Sequence, residues 1–242
     1  MTTLAVIGDV HANIDNLDRV LKRIDAVNPD GILLVGDLGA NTLHSRWKRD
    51  RQQWNQRRQT YLLSVETVLS RLRSTNRTFA WVPGNHDLPD VPGGGNIDRK
   101  STTMGGLRIS GIGGAGPDRF GFPYEWDEDQ IRALTLPHCD VLLSHTPPIN
   151  TPLDEVPHAG NKHVGSEAIR ERAEAHEGFL VCGHIHESFG AVQLGDCLCF
   201  NVGGLGKPYA KAQVGFIRRD EDGDSAILED LEAGTIQRWR RE

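Results

Sequence analysis

Leu4-Ala5-Val6-Ile7-Gly8-Asp9-Val10-His11 and Ile32-Leu33-Leu34-Val35-Gly36-Asp37 are two apolar runs, each ending in Gly-Asp. Between them Ile14, Leu17, Val20, Leu21 and Ile24 recur at helical spacing, and Asn13 stands where an N-cap belongs. Strand, helix and strand in this order make a βαβ unit, with parallel strands and a right-handed crossover. Both Gly-Asp pairs then fall at strand carboxyl ends, the edge of an open α/β sheet where ligands bind.

The pattern extends outward from this unit. Residues 44–73 read as a long helix or helical pair, with Trp47, Trp54, Tyr61 and Val68 at seven-residue intervals. Phe79–Val82 is a third strand running into Pro83-Gly84-Asn85-His86-Asp87, followed by a Pro- and Gly-rich loop at 88–96. Strands are expected around 107–112, at Val141–Ser144 and at Phe179–Cys182, with a short helix closing near 131–136 and another from Ser166 to about His176. From Phe189 onward the period is strand-like, with turns at Gly195-Asp196 and 220–224. Alternating strands and helices followed by strands predict an α/β fold. It is a four-layer αββα sandwich of two mixed β-sheets flanked by helices. No repeat or linker interrupts residues 1–242, which read as a single domain with a helical, cap-like segment at about 44–73.

Hydrophobic residues make up 38% of the chain and charged residues 25%, a globular composition. The formal net charge of −6 argues against a general nucleic-acid binder. No apolar run approaches membrane-spanning length, and the start of the chain lacks a basic n-region and a cleavage site. The expectation is therefore a cytoplasmic protein without a membrane role. Cys139, Cys182, Cys197 and Cys199 form no Cys-x-x-Cys pair and read as small buried hydrophobes.

Five signatures carry the chemistry: Gly8-Asp9-Val10-His11, Gly36-Asp37, Gly84-Asn85-His86-Asp87, Ser144-His145 and Gly183-His184-Ile185-His186. Asp9 and His11 lie two apart at a strand end and can project to one side, as a carboxylate–imidazole pair for a cation. Asp37 ends the neighbouring strand, and its two oxygens allow it to bridge two cations. Asn85 offers a carbonyl oxygen; His145, His184 and His186 add imidazoles. This mixed oxygen and nitrogen set suffices for two divalent ions, and it admits manganese first, or iron, zinc or cobalt.

The ordered set resembles the calcineurin-like metallophosphoesterase superfamily, whose pattern is Asp-x-His, Gly-Asp, Gly-Asn-His-Asp/Glu, His and Gly-His-x-His. The resemblance spans Gly8 to His186, and Asn201-Val202-Gly203-Gly204 is similar to the family's later Asn-Pro-Gly turn. Ser144-His145-Thr146-Pro147-Pro148 and Gly183-His184-Ile185-His186-Glu187 are similar to its smaller, single-domain phosphodiesterase branch. The resemblance implies one ion on Asp9, His11, Asp37 and His186, and the other on Asp37, Asn85, His145 and His184. It implies hydrolysis of phosphodiester, and also phosphomonoester, bonds of small or nucleotide substrates. A hydroxide shared by the cations would attack phosphorus in line. His86 would be the catalytic residue, stabilising the phosphate or protonating the leaving oxygen. In the family's protein phosphatases the second signature is Gly-Asp-x-x-Asp-Arg-Gly, and its second Asp orients the catalytic histidine. Ala40 stands in that place here. This speaks against a phosphoprotein phosphatase and leaves His86 to be oriented by Asp87 or a backbone carbonyl.

Other features take second place. Arg46, Lys48, Arg49, Arg51, Arg57 and Arg58 crowd the first half of the 44–73 segment. An amphipathic helix with solvated arginines is the plain account. As a cap directly after Asp37, however, its Arg46, Arg49 and Arg51 would bind substrate phosphate. His158 and His163, in the loop after His145, are further candidates for substrate contact. Gly111–Gly116 reads as a strand-exit loop, because Pro117 and the missing βα unit exclude a dinucleotide fingerprint. Two alternatives stay open. One is a nuclease on DNA or RNA. The other is a catalytically idle interaction module on this fold, like the retromer subunit. The oligomeric state is open as well.

Overall fold

The computed structural model describes residues 1–241. In chain order the first strands are β1 (Thr2–Ile7), β2 (Gly31–Leu34), β3 (Phe79–Trp81), β4 (Ser101–Met104), β5 (Leu107–Ile112), β6 (Val141–Ser144), β7 (Glu155–Val156) and β8 (Lys162–His163). They are followed by β9 (Gly178–Cys182), β10 (Gly190–Leu194), β11 (Cys197–Asn201), β12 (Gln213–Asp220), β13 (Gly223–Asp230) and β14 (Thr235–Arg240). The helices are α1 (Ile14–Val27), α2 (Arg51–Ser74), α3 (Glu128–Arg132) and α4 (Glu167–Glu174).

Two six-stranded mixed sheets form among the described residues. The first has the order β14-β13-β12-β1-β2-β3 and the second β10-β11-β9-β6-β5-β4. β1, β2 and β3 run parallel, with Val6 opposite Leu33 and Leu33 opposite Ala80. In the second sheet β5, β6, β9 and β11 are parallel to one another.

Alternation along each strand explains the layers. Leu4, Val6, Leu33 and Val35 point inward and meet Ile109, Val141, Leu143, Phe179, Val181 and Phe200 of the other sheet. Ala5, Ile7, Ile32, Leu34 and Trp81 point outward, where α1 and α2 cover them with Leu17, Val20, Ile24, Tyr61, Val65 and Val68. On the far side Ile131, Ala168 and Ile169 of α3 and α4 cover Leu142, Leu180 and Cys182. Strands buried on both faces are why these runs are continuously apolar rather than alternating. The result is the expected four-layer αββα sandwich. Each fully buried Val, Leu or Phe contributes about 1.5–3 kcal/mol.

Local signals place the ends. Asn13 caps α1 by accepting from the Asn16 amide, and Ser166 caps α4 by accepting from Ile169. All four cysteines are buried and free. The 44–73 segment is a short 3₁₀ turn at Ser45–Trp47 followed by α2, with Asp50 as its cap. Its heptad stripe is buried only in the second half: Tyr61 and Val68 are fully covered, Trp47 and Trp54 half-buried. Trp47 lies in the 3₁₀ turn, outside α2, and residues 51–60 of α2 are exposed apart from the half-buried Trp54 and Arg57. No described helix is long and apolar enough to cross a membrane.

Candidate metal centre

Every signature sits just beyond the carboxyl end of a parallel strand, and the two sheets present those ends at the same edge. Asp9 follows β1, Asp37 follows β2, and Asn85 and His86 follow β3. His145 follows β6, and His184 and His186 follow β9. The backbone turns sharply there. His11, Asp37 and His184 have φ of 45°, 48° and 66°, in the left-handed region. Such conformations cost about 1–3 kcal/mol each and persist where the surroundings enforce them, most often at functional sites. The chain also closes tightly behind the ligating groups. A Cβ on Gly84 would lie 2.0 Å from Asp37 Oδ1, so only glycine leaves room for that carboxylate.

The side chains converge. Asp37 Oδ2 is 3.5 Å from His11 Nε2 and 3.7 Å from His145 Nε2. Asp9 Oδ2 is 2.9 Å from His186 Nε2 and accepts from the His184 amide at 2.8 Å. The rings of His11 and His186 are 5.2 Å apart, and those of His145 and His184 4.9 Å. Two groups have ligand atoms all within 4.8 Å of one another: Asp9, His11 and His186, and Asp9, Asp37 and His145. Asp9 thus touches both groups, and Asp37 joins His11 to His145. Asn201 locks the Gly-His-x-His loop in place: its amide donates to the carbonyls of Leu153, Gly183 and Ile185.

The donor set fits divalent cations on three grounds. First, Asp9 and Asp37 are both fully buried, and burial pushes both carboxyls up, Asp37 further because Asp9 and Asp87 stand beside it. Adjacent buried anions are costly without positive charge. Second, burial pulls His11 and His145 well down and His184 to about 3, so these rings are neutral, the form that ligates. His186 goes the other way: burial lowers it, but its contact with Asp9 prevails and the net shift is upward. Third, some polar atoms want a partner. Asp9 Oδ1 and His11 Nδ1 are buried without a hydrogen bond. His145 stands between two oxygens, Val35 O at 2.7 Å from Nδ1 and Asn85 Oδ1 at 3.0 Å from Nε2. A neutral imidazole has one N–H, so one contact sets a lone pair against an oxygen. If Nδ1–H donates to Val35, the Nε2 lone pair faces Asn85 Oδ1 and Asp37 Oδ2, an arrangement a cation satisfies.

His86 projects beside this cluster. Its amide donates to Asp37 Oδ1 at 2.9 Å, and its ring packs edge-on to Phe122 at 4.4 Å. Asp87 does not orient it. The Asp87 carboxylate is fully buried and accepts from the amides of Leu38, Gly39 and Gly84 and from the Tyr61 hydroxyl. It ties the second and third signature loops to α2, and the His86 ring packs instead against Phe122 and, at 5.5 Å, the His11 ring. Asp87→Ala would strand buried donors and is expected to cost about 3–5 kcal/mol, measured by denaturant unfolding. An unchanged midpoint would show that the knot is dispensable.

Two recesses of about 420 Å³ each, one over the cluster and one beside it, share Asn85, Phe122 and His184. One is lined by Arg119, Phe120 and His163, the other by His11, Asp37, His86, His158, Glu187 and Tyr209. His163 is held by the buried Asp154 at 2.8 Å, and His158 lies 2.9 Å from Glu187. A third recess of about 140 Å³ adjoins His86 and Phe122 and is lined by Arg46, Trp47 and Arg57. Arg49 and Arg51 are exposed and line none of these recesses. Phe122 and Tyr209 escaped the sequence reading, and Glu187 and Arg57, though quoted there, were given no part in the site. Phe122 and Tyr209 belong to no motif, and only folding brings them to the rim.

A family model described as calcineurin-like phosphoesterase matches residues 2–188. The uncharacterised protein MJ1162 of Methanocaldococcus jannaschii is 35% identical over 133 residues, covering 50% of this chain and 61% of that protein. The chain thus spans about three fifths of the length of the curated relative it matches. One solved structure superposes with a TM-score of 0.73 at 16% identity over 99% of both chains. TT1561 of Thermus thermophilus superposes at 0.54 with 14% identity, over 99% of this chain and 98% of that one. YfcE, a phosphoesterase from E. coli, superposes at 0.50 with 17% identity over 100% of both chains. At these identities the likeness to solved structures is one of fold.

Proposed function

The chain belongs to the calcineurin-like phosphoesterase family, and on that premise we propose that it is a dinuclear metal-dependent phosphodiesterase for small or nucleotide substrates. Asp9, His11, Asp37 and His186 would hold one cation and Asp37, Asn85, His145 and His184 the other. Bound there, two divalent cations supply Lewis acidity, acidifying water and neutralising phosphoryl charge. The chain's residues supply the rest. Asp37 presents Oδ2 to His11 and His145 while its Oδ1 takes the His86 amide, which keeps the His86 ring beside the reacting phosphate. The His86 N–H donates to a phosphate oxygen. Phe122 fixes the ring and excludes water from that side.

One observation favours a diester over a monoester: beside the recess that contains the cluster, with His158, Glu187 and Tyr209 on its rim, opens a second recess lined by Arg119, Phe120 and His163. A diester carries two organic arms on phosphorus, and each lobe can take one. The test is turnover of bis(4-nitrophenyl) phosphate against 4-nitrophenyl phosphate with manganese supplied. The diester is expected to have the higher kcat/KM. A preference for the monoester would make the protein a phosphatase, and no turnover of either by the metal-loaded chain would favour an interaction module.

Removal of metal has a structural signature too. Each cation at about a hundredfold its dissociation constant adds about 2.7 kcal/mol. For a chain of this size a pair corresponds to a rise of about 10–20 °C in Tm. Scanning calorimetry with and without a chelator measures it, and an unchanged Tm would speak against cations in this cluster.

A further inference from the structure

We propose that the recess beyond His86 is a subsite for a second phosphate group of the substrate, set apart from the phosphate being cleaved; this rests on the phosphodiesterase reading above. The observation behind it is an uncompensated block of positive charge. Arg46, Lys48, Arg49, Arg51, Arg57 and Arg58 stand within one short stretch, and none of them meets a carboxylate among the described residues. Elsewhere Arg23, Arg77, Arg132 and Arg219 are all paired with acids. The one acid in the block, Asp50, is used to cap α2 through the Gln53 amide. In a chain of net charge −6 these cations stand unneutralised, and two of them, Arg46 and Arg57, line the recess beside His86.

Two of these cations are also positioned. The guanidinium of Arg57 lies 3.9 Å from the Trp47 ring centroid, and that of Arg46 lies 4.9 Å from it. Stacking on an indole restrains a guanidinium while leaving its N–H edge free, so less entropy is lost when an anion is gripped. Both line the recess shared with His86 and Phe122. The planar forks suit a phosphate, which accepts paired hydrogen bonds from arginine. Arg57 also borders a neighbouring recess of about 330 Å³ lined by Thr42, Gln53, Gln56 and Thr60. Those neutral donors and acceptors suit a polar group such as a sugar carried beyond the second phosphate. The ligand class is therefore a small phosphodiester with a further phosphate on one arm.

The test is equilibrium binding, independent of turnover. Thymidine 3′,5′-bisphosphate and thymidine 5′-monophosphate are titrated into the manganese-loaded protein by calorimetry. The bisphosphate is expected to bind at least about 10-fold tighter, from charge-assisted contacts to the extra phosphate. That advantage should fall toward one in Arg57→Gln and Arg46→Gln and stay intermediate in Arg57→Lys, which keeps charge but loses the fork. Equal affinity in the unmodified chain, or an advantage untouched in both glutamine variants, overturns the proposal. A thymidine dodecamer binding far tighter than the bisphosphate with a steep salt slope also overturns it, making the stretch a nucleic-acid track. The two readings fail separately. A binding advantage of one alongside hydrolysis of bis(4-nitrophenyl) phosphate defeats the subsite alone. No hydrolysis with the advantage intact defeats the hydrolase alone.

Discussion

Asp37→Asn is expected to lower kcat/KM for bis(4-nitrophenyl) phosphate by at least about 10³-fold, on the scale of losing transition-state charge stabilisation. Asp37, like Asp9, lies within reach of both His11 and His145, and it also takes the His86 amide. Asparagine keeps the size and removes the charge, so bound metal should fall along with rate. Stability should move the opposite way. Burial, then the neighbouring Asp9 and Asp87, holds the Asp37 carboxyl well above its unfolded value. The metal-free fold therefore binds this proton more tightly than the unfolded chain does. The contribution of this group to stability is greatest at low pH and is lost as pH rises from the unfolded carboxylate range toward the folded value. Asp37→Asn removes that loss, and metal-free Asp37→Asn is expected to be at least as stable near pH 7 as the metal-free parent. Denaturant unfolding of both chains with a chelator present measures this. A variant that is destabilised and inactive together would mean that Asp37 serves the fold rather than the cations.

His86→Ala is expected to cost about 10²–10³-fold in kcat with metal content unchanged. Burial, then the nearby His186 and His44, lowers the His86 imidazole to about 4, so the ring is neutral near pH 7. A neutral ring donates a hydrogen bond but has almost no proton to give a leaving group. A required protonated His86 would make kcat fall about tenfold per pH unit above that value. The structure supports the donor role, so no such decline is expected between pH 6 and 8. His86→Asn, which retains an N–H donor, should recover about tenfold over His86→Ala. A tenfold fall in kcat per pH unit across that range, with no rescue by asparagine, would return His86 to the role of general acid.

Much of the architecture was legible because it rests on short-range rules. Leu4–Ile7 and Ile32–Val35 could only be buried parallel strands, since continuous apolar runs flanking an amphipathic helix leave no other arrangement. That placed Asp9 and Asp37 at one edge, and the later signatures follow strands that end there too. What stayed hidden depends on long-range packing. The hairpin strands β7 and β8 are two residues each and carry no periodicity. Nothing in Gly121-Phe122-Pro123 signals that this ring would brace His86. Asp87 next to His86 invited an orienting role, yet its carboxylate turns away to the Leu38, Gly39 and Gly84 amides and the Tyr61 hydroxyl. Local sequence cannot say which of two neighbouring polar residues faces the cleft. The basic stretch shows the same limit. Arg46, Arg49 and Arg51 look alike in sequence, but only Arg46 reaches a recess, in company with Arg57.

The direct test is metal content. After equilibration with excess manganese and desalting, elemental analysis should find two equivalents per chain, falling toward zero in a chain carrying both Asp9→Asn and Asp37→Asn. A chain that retains no metal, or the same content with both carboxylates neutralised, would contradict a cation pair held by this cluster.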